Sequence, residues 1–259
     1  MKAAILSLFT ILIFQSQATY SKTLIISDVD DTIKMTDVLG SKKKIFFNGV
    51  FREKAFSGMS QLYQQFNNEN TIIHYVSGSP KIIRIRVDEF LEENEFPQQY
   101  NLSLRNSLYD ATKTFKLSAI KRIIEKEQPE KIILIGDDTE HDPEIYASIA
   151  DDYPGLVDSI YIRSIKNREM PKLAIIKTFF SAVEIAAYEM LQARMSKESF
   201  IQVAQAFIYR FGRSGIFLTA RYCPKSGRDE ITLLAAQFDD EKIRSTLNKV
   251  QNKIIKSCH

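Results

Sequence analysis

The sequence predicts a three-layer α/β/α fold built on a mostly parallel sheet. Two observations carry this expectation. Short β-branched and aliphatic runs recur along the first two thirds of the chain, each ending in polar or acidic residues, and helical patterns separate them. Strands that alternate with helices form parallel β-α-β units, because a crossover long enough to join parallel strands accommodates a helix.

The first run, Thr23 to Ser27, leads into Asp28-Val29-Asp30-Asp31-Thr32. The second, Thr71 to Val76, ends in Ser77-Gly78-Ser79-Pro80, and the third, Lys131 to Ile135, ends in Gly136-Asp137-Asp138-Thr139-Glu140-His141-Asp142-Pro143. Leu102 with Leu104 marks a short strand, and Ser159 to Arg163 a further one. Between them lie helical stretches at Ser57 to Asn67, Pro80 to Glu93 and Lys116 to Glu127, the last with Leu117, Ile120, Ile123 and Ile124 on one face, and a helix begins at Pro143. The architecture is Rossmann-like, and in such an open sheet the ligand crevice lies outside the carboxyl ends of the strands, where these acidic loops converge.

Beyond Pro171 the pattern turns to helices, Leu173 to Met195, Ser199 to Phe211 and about Asp240 to Lys256, with Gly212 as a stop, a loop through Cys223 and Gly227, and Asp240 as an N-cap. The expected organisation is a leader over 1–18, a core over 19–170 and a mainly helical C-terminal extension over 171–259 packed on that core. Neither the Thr32–Ser77 gap nor the Ser77–Lys116 gap holds a large inserted lobe once its own core helix is subtracted. Only a minimal cap is expected, and the site should be open.

Of the 259 residues 44% are hydrophobic and 26% charged, the balance of a globular protein with a sizeable core. A net charge of +3 does not point to nucleic acid as a partner. Met1 to Ala18 combines Lys2, the apolar run Ala3 to Phe14 and the ending Ser16-Gln17-Ala18, the pattern of an export signal cleaved after Ala18. The mature chain is therefore expected in the periplasm or outside the cell. No later stretch reads as a membrane span, since even Leu173 to Met190 carries Lys177, Glu184 and Glu189. Cys223 and Cys258 suit either one disulfide or two separate thiols.

Phosphoryl transfer to a carboxylate needs a nucleophilic oxygen, a metal to offset charge, a proton donor for the leaving group, and positive or hydrogen-bonding groups around the phosphoryl oxygens. Asp28 at a strand end is the candidate nucleophile, and Asp30, two residues on, the candidate acid and base. Asp28, the main-chain carbonyl of Asp30 and Asp137, with Asp142 or Asp138 acting directly or through water, form an oxygen set suited to Mg²⁺. Ser77, with the N–H groups of Gly78 and Ser79, can bond a phosphoryl oxygen, and Lys116 supplies a point charge. Arg105 is either a phosphate contact or a sheet-edge residue. Asp31 and Asp138 also fit plain turn or cap roles, His141 reads as a local hydrogen-bonding residue and His74 as buried structure.

These residues carry a resemblance. Asp28-Val29-Asp30-Asp31-Thr32, Ser77, Lys116 and Gly136-Asp137 with Asp142 resemble the four ordered motifs of the haloacid dehalogenase superfamily of phosphohydrolases, over about residues 23 to 165. More narrowly, Ile26 to Lys34, Val76 to Pro80, Phe115-Lys116-Leu117, Leu134 to Asp137 and Asp142 to Tyr146 resemble the catalytic domain of the actin-patch-associated phosphatidate phosphatases. That resemblance implies a magnesium-dependent phosphatidate phosphatase with Asp28 as nucleophile and Asp30 as acid and base. Lys81 stands where the family has an aromatic residue, and Asp138-Thr139 where a small polar pair is expected; both departures bear on substrate rather than on the core reaction.

Lys42 to Lys44, followed by Ile45-Phe46-Phe47, fit a solvated turn beside a hairpin strand, or a flap giving peripheral contact with an anionic lipid surface. The functions that remain open are a phosphatase of lipid phosphates such as phosphatidate, a phosphatase of small or protein-borne phosphoesters, a receiver that stores phosphate on aspartate, and a non-catalytic secreted binding protein. Asp30 speaks against the receiver, since an acid and base beside the nucleophile promotes turnover.

Overall fold

The computed structural model describes residues 22–36, 54–107, 111–211 and 228–258. Six parallel strands form one sheet: β1 (Thr23–Ser27), β2 (Thr71–Pro80), β3 (Asn101–Arg105), β4 (Lys131–Asp137), β5 (Val157–Arg163) and β6 (Ile176–Phe179). Their order is β3-β2-β1-β4-β5-β6. The chain winds outward from β1 to one edge and then from β4 to the other, so the direction of winding reverses between β1 and β4.

The strand pairing explains the apolar runs. Ile25 lies beside Ile73 and Ile133, and Leu24 beside Ile72 and Ile132. Successive side chains point to opposite faces. Ile25, Ile73 and Ile133 enter one core cluster while Leu24, Ile132 and Leu134 enter the other. A sheet buried on both faces needs apolar residues at consecutive positions, which makes its central strands legible as unbroken hydrophobic segments.

One face is covered by α3 (Thr112–Glu127) and α4 (Asp142–Asp152). In α3 the buried residues are Lys116, Ala119, Ile120, Ile123 and Ile124, a single helical stripe, and the helix stops at Gln128 in left-handed conformation just before Pro129. The other face is covered by α1 (Met59–Phe66), α2 (Arg84–Glu93), α5 (Ala182–Leu191), α6 (Lys197–Arg210), α7 (Arg228–Ala235) and α8 (Glu241–Ser257). A single 3₁₀ turn, Lys81–Ile83, joins β2 to α2. Both α1 and α2 bury their apolar faces in the core, and the described connections hold no separate lobe.

One expectation about the C-terminal third needs correction. The stretch Leu173 to Met195 is not one helix: Ile176–Phe179 pairs with β5 as the edge strand β6, and α5 begins only at Ala182. The capping box of Ser181 and Glu184 separates them, with the Ser181 N–H donating to Glu184 Oε2 at 2.7 Å. The exposed side chain of Lys177 suits a strand at a sheet edge. A further helix, α7, lies between the expected loop through Gly227 and the helix at Asp240, in a stretch to which the sequence pattern assigns no element. Asp240 is the N-cap of α8, accepting from the N–H groups of Lys242 and Ile243, and Ile243, Leu247, Val250 and Ile254 form its buried stripe. Cys258 at its end is disulfide-bonded. Cys223, Gly212, the leader over 1–18 and the Lys42–Phe47 segment lie outside the described residues. No helix among the described residues is long and apolar enough to cross a membrane.

His74, inside β2, is buried, with Nε2 at 2.9 Å from Ser103 Oγ and Nδ1 without a hydrogen-bond partner. Burial pushes its pKa down to about 4. Between that value and the unfolded value near 6.5, the unfolded chain takes up a proton that the folded chain refuses, so stability is lost as the pH falls through this window. Replacing His74 with Leu should make the fall in unfolding free energy between pH 7 and pH 4 smaller by about 2–3 kcal/mol, measured by urea unfolding at several pH values.

Candidate active site

The site is built where the sheet reverses its winding, at the carboxyl ends of β1 and β4. Asp28 follows β1 directly, and its N–H donates to the Ile135 carbonyl at 2.9 Å, which ties it to β4. The chain then folds into a tight loop: the N–H groups of Ile33 and Lys34 both donate to the Val29 carbonyl, and the Asp31 N–H to the Lys34 carbonyl. Asp31 has a positive φ of 56°, a conformation that Asp tolerates better than bulkier residues, and its Oδ1 accepts from the N–H and hydroxyl of Thr36. Asp31 thus serves the turn. The loop leaves Asp30 half-buried with Oδ2 accepting from the hydroxyls of Ser77 at 3.0 Å and Ser79 at 2.8 Å.

From the other half of the sheet come Asp137, at the end of β4, and Asp142, in the first turn of α4. Gly136 makes this approach possible. A Cβ there would lie 2.5 Å from Asp142 Oδ2 and 2.8 Å from Tyr146, so only glycine lets α4 close on β4. Lys116, on the inner stripe of α3, reaches Asp28 Oδ1 at 3.0 Å and Asp142 Oδ1 at 2.6 Å. Lys116, Asp28 and Asp142 are all at most 4% exposed.

Asp28, Asp137 and Asp142 each offer an oxygen atom, and these atoms lie within 4.8 Å of one another. Burial pushes the Asp28 carboxyl up, Lys116 pulls it back, and Asp142 and Asp137 push it up again. Burial and then Asp142 raise Asp137 to about 7, against the pull of Lys116. Burial would lower Lys116, but Asp142 and Asp28 outweigh it and hold the ammonium charged. One lysine faces three buried carboxylates, and Asp142 Oδ2 is buried without a hydrogen-bond partner. An all-oxygen set with surplus negative charge and an unsatisfied ligand atom fits a hard metal ion.

The structure places the remaining expected residues unevenly. Ser77 is buried beside Asp30, but the Ser79 N–H donates to Ser77 Oγ at 3.0 Å, so this N–H is already engaged rather than presented to a ligand. The Arg105 guanidinium donates through Nε to the Gly78 carbonyl and fastens the Ser77 loop. A Cβ on Gly78 would lie 2.6 Å from Thr112, so this loop packs closely on the start of α3. Asp138 turns away from the acidic cluster. Its carboxylate accepts from the N–H groups of Ile165, Lys166 and Asn167, which fixes the loop after β5 and corrects its reading as an alternative metal ligand.

Sequence reasoning gave no role to three groups the structure brings to the site. The Thr32 hydroxyl lies 2.9 Å from Asp137 Oδ2 and 3.4 Å from Asp28 Oδ2, linking the two halves. Thr139 holds the other oxygen of Asp137 through its N–H, at 2.7 Å, and its hydroxyl. Buried Arg163 donates from Nε to the Thr32 carbonyl at 3.0 Å and lies over the rings of Phe56 and Phe179. Its signal in the sequence is a cation directly after the run Ile160-Tyr161-Ile162; the pairing of Arg163 with Asp137 across β5 and β4 is what brings it behind the site.

An open parallel sheet whose switch point carries a buried Asp28–Lys116–Asp142 contact and an acidic cluster able to hold a metal defines a Rossmann-like α/β protein with an enzyme-like crevice. The chain belongs to the family described as "Phosphatidate phosphatase APP1, catalytic domain", whose model matches residues 23–164. Two curated relatives are each 29% identical to it: an uncharacterised protein of Schizosaccharomyces pombe, over 54% of this chain and 25% of the relative, and Phosphatidate phosphatase APP1 of Saccharomyces cerevisiae, over 55% and 26%. The match thus spans about a quarter of the length of these relatives. Among solved structures, a chain described as "Structure of Pnkp1/Rnl/Hen1 complex" covers 52% of this chain and 45% of its own at 16% identity and a TM-score of 0.37, too low a likeness to build on.

Removing Lys116, the cation in direct contact with Asp28 and Asp142, should be costly. Lys116→Met should lower the unfolding free energy by about 3–5 kcal/mol in chelator-containing buffer, measured by urea titration. Adding Asp142→Asn to it should recover part of that loss, because one uncompensated charge is then removed.

Proposed function

We propose that the protein is a magnesium-dependent phosphomonoesterase of the haloacid dehalogenase type, acting through a phosphoaspartate on Asp28, and that its substrate is a lipid phosphate such as phosphatidate. The observation that carries this reading is the pairing of two differently housed carboxylates. Asp28 is buried against Lys116, whereas Asp30 is half-buried and held by two hydroxyls at the rim of the same crevice.

The division of labour follows from those environments. An Asp28 oxygen attacks phosphorus as the bond from phosphorus to the leaving oxygen breaks, and Asp30 delivers its proton to that oxygen. A water molecule then gives its proton to Asp30 and attacks the phosphoaspartate, returning Asp28 as carboxylate and releasing inorganic phosphate. Ser77 is within reach of Asp30 and is suited to bond a phosphoryl oxygen, and Lys116 holds Asp28 in place. Asp28, Asp137 and Asp142, with the Asp30 carbonyl, would hold Mg²⁺, which when bound offsets the charge of carboxylate and phosphate brought together. Arg105 acts through the Gly78 carbonyl, as support for the Ser77 loop.

The lipid reading is supported by family membership and by the printed activity of the yeast relative, which matches over a quarter of that protein's length. Location outside the cytoplasm rests on the Met1–Ala18 pattern, and a mature N-terminus at Thr19 in protein recovered from the medium or periplasm would support it.

Asp28→Asn should lower phosphate release from phosphatidate in mixed micelles by about a thousandfold or more, since an amide is a poor nucleophile. Asp30→Asn should slow both formation and breakdown of the intermediate by about a hundredfold or more. Full activity in purified Asp28→Asn protein would rule out the mechanism. Exhaustive chelation should abolish turnover and Mg²⁺ should restore it, whereas Ca²⁺, with looser and larger coordination, should restore little. Activity undiminished by chelation would argue for a metal-free enzyme.

A further inference from the structure

Beside the site the chain departs from the rule that large aliphatic residues are covered. The sequence Lys81-Ile82-Ile83-Arg84-Ile85-Arg86 follows β2 directly as the 3₁₀ turn and the start of α2. Its inward side is ordinary: Ile83 packs on the core, and Val87, Phe90 and Leu91 are buried. Its outward side is not. Ile82 is 88% exposed and Ile85 71% exposed, the two most exposed large hydrophobic residues among those described. Three positions apart on one helical turn, they stand as neighbours on the same outward face.

Exposed Lys81, Arg84 and Arg86 interleave these isoleucines, and exposed Lys113 stands at the start of α3, the helix end against which Gly78 packs. Lys81 and Lys113 have no ion pair among the described residues. Arg84 and Arg86 meet Asp88 and Glu89 at 3.5 Å, long contacts between partly exposed groups that exchange readily with other anions. On the site side the opposing charges are Glu140, whose carboxylate would lie 3.8 Å from a Cβ on Gly78, and Asp30, bonded to Ser79. The patch adjoins the crevice. Ser79 touches Asp30, and Ile82 follows three residues later, within about 11 Å of Ser79 along the chain.

We propose that the Lys81–Arg86 segment is the surface by which the protein docks on an anionic phospholipid bilayer, with Ile82 and Ile85 entering the headgroup region and Lys81 and Lys113 meeting lipid phosphates. This deepens the lipid-phosphatase reading and rests on it for the choice of a bilayer as partner. Aliphatic side chains flanked by cations suit an interface that is apolar below and negatively charged above, and a soluble partner would not need that layering. Docking here would bring the crevice to the depth at which a lipid phosphate sits, without the lipid leaving its bilayer.

The test is cosedimentation of the full chain with phosphatidylcholine vesicles, with and without phosphatidylglycerol, an anionic lipid that is not a phosphomonoester. The protein should sediment with the anionic vesicles, and Ile82→Ser/Ile85→Ser should weaken that binding at least tenfold or so with an unchanged melting temperature. Lys81→Gln should weaken it about fivefold at low salt and little at high salt. No sedimentation of the unaltered protein, or equal binding by the double variant, would overturn the proposal. So would loss of self-association in the double variant with vesicle binding intact, which would assign the patch to a protein contact. Phosphate release from phosphatidate in micelles separates the two ideas. Failure there with isoleucine-dependent vesicle binding intact removes the lipid-phosphatase reading and keeps the docking surface; turnover there without such binding removes the docking surface alone.

Discussion

Lys116 stands between Asp28 and Asp142, at 3.0 and 2.6 Å, and the remainder of the site is arranged around that contact. A parallel sheet delivers its loops to one edge, so three carboxylates from β1, β4 and α4 meet in a place that water barely reaches. Like charges in that setting repel and are poorly solvated. A single ammonium from α3 compensates part of the charge, and the surplus is what makes the group receptive to a metal ion. Stability and chemistry are coupled here, because the same uncompensated charge that costs folding energy is what a cation would stabilise.

Around this centre lies a support of ordinary polar residues. Thr32 and Thr139 hold Asp137, Ser77 and Ser79 hold Asp30, and Arg163 holds the Thr32 carbonyl from below while resting on Phe56 and Phe179. Asp138 stiffens the loop after β5. Each acid at the crevice is thereby fixed by partners on a different element, and the carboxylates keep their relative positions only if the sheet does. Such preorganisation suits the proposed phosphoryl transfer, in which the protein would contribute chiefly placement and charge.

Placement also differs across the crevice. Asp28 is buried against Lys116 of α3, whereas Asp30 is half-buried beside Ser79, three residues before the exposed Ile82.

The sequence by itself determined the central strands and the acidic loops after them. Strands buried on both faces must be apolar at consecutive positions, and polar residues after them interrupt that run abruptly, so β1, β2 and β4 were legible, as were Asp28, Asp30, Ser77, Asp137 and Asp142 just past their ends; Lys116, within a helix, stood out only through the family resemblance. The family motifs reinforced the same residues. It did not separate β6 from α5, because Ile175 to Phe180 runs into the apolar Ala182–Leu191 helix with only Ser181 between them, and four paired residues at a sheet edge leave little periodicity. It likewise gave no element over Arg228–Ala235, where α7 lies. Only the tertiary structure decided that Asp138 serves a loop while its neighbour Asp137 serves the site, that Arg163 lies behind Thr32, and that Ile82 and Ile85 face outward beside the crevice. Adjacent residues on a strand end differ by which face they take, and a side chain's partner across the sheet is set by register, which no local pattern encodes.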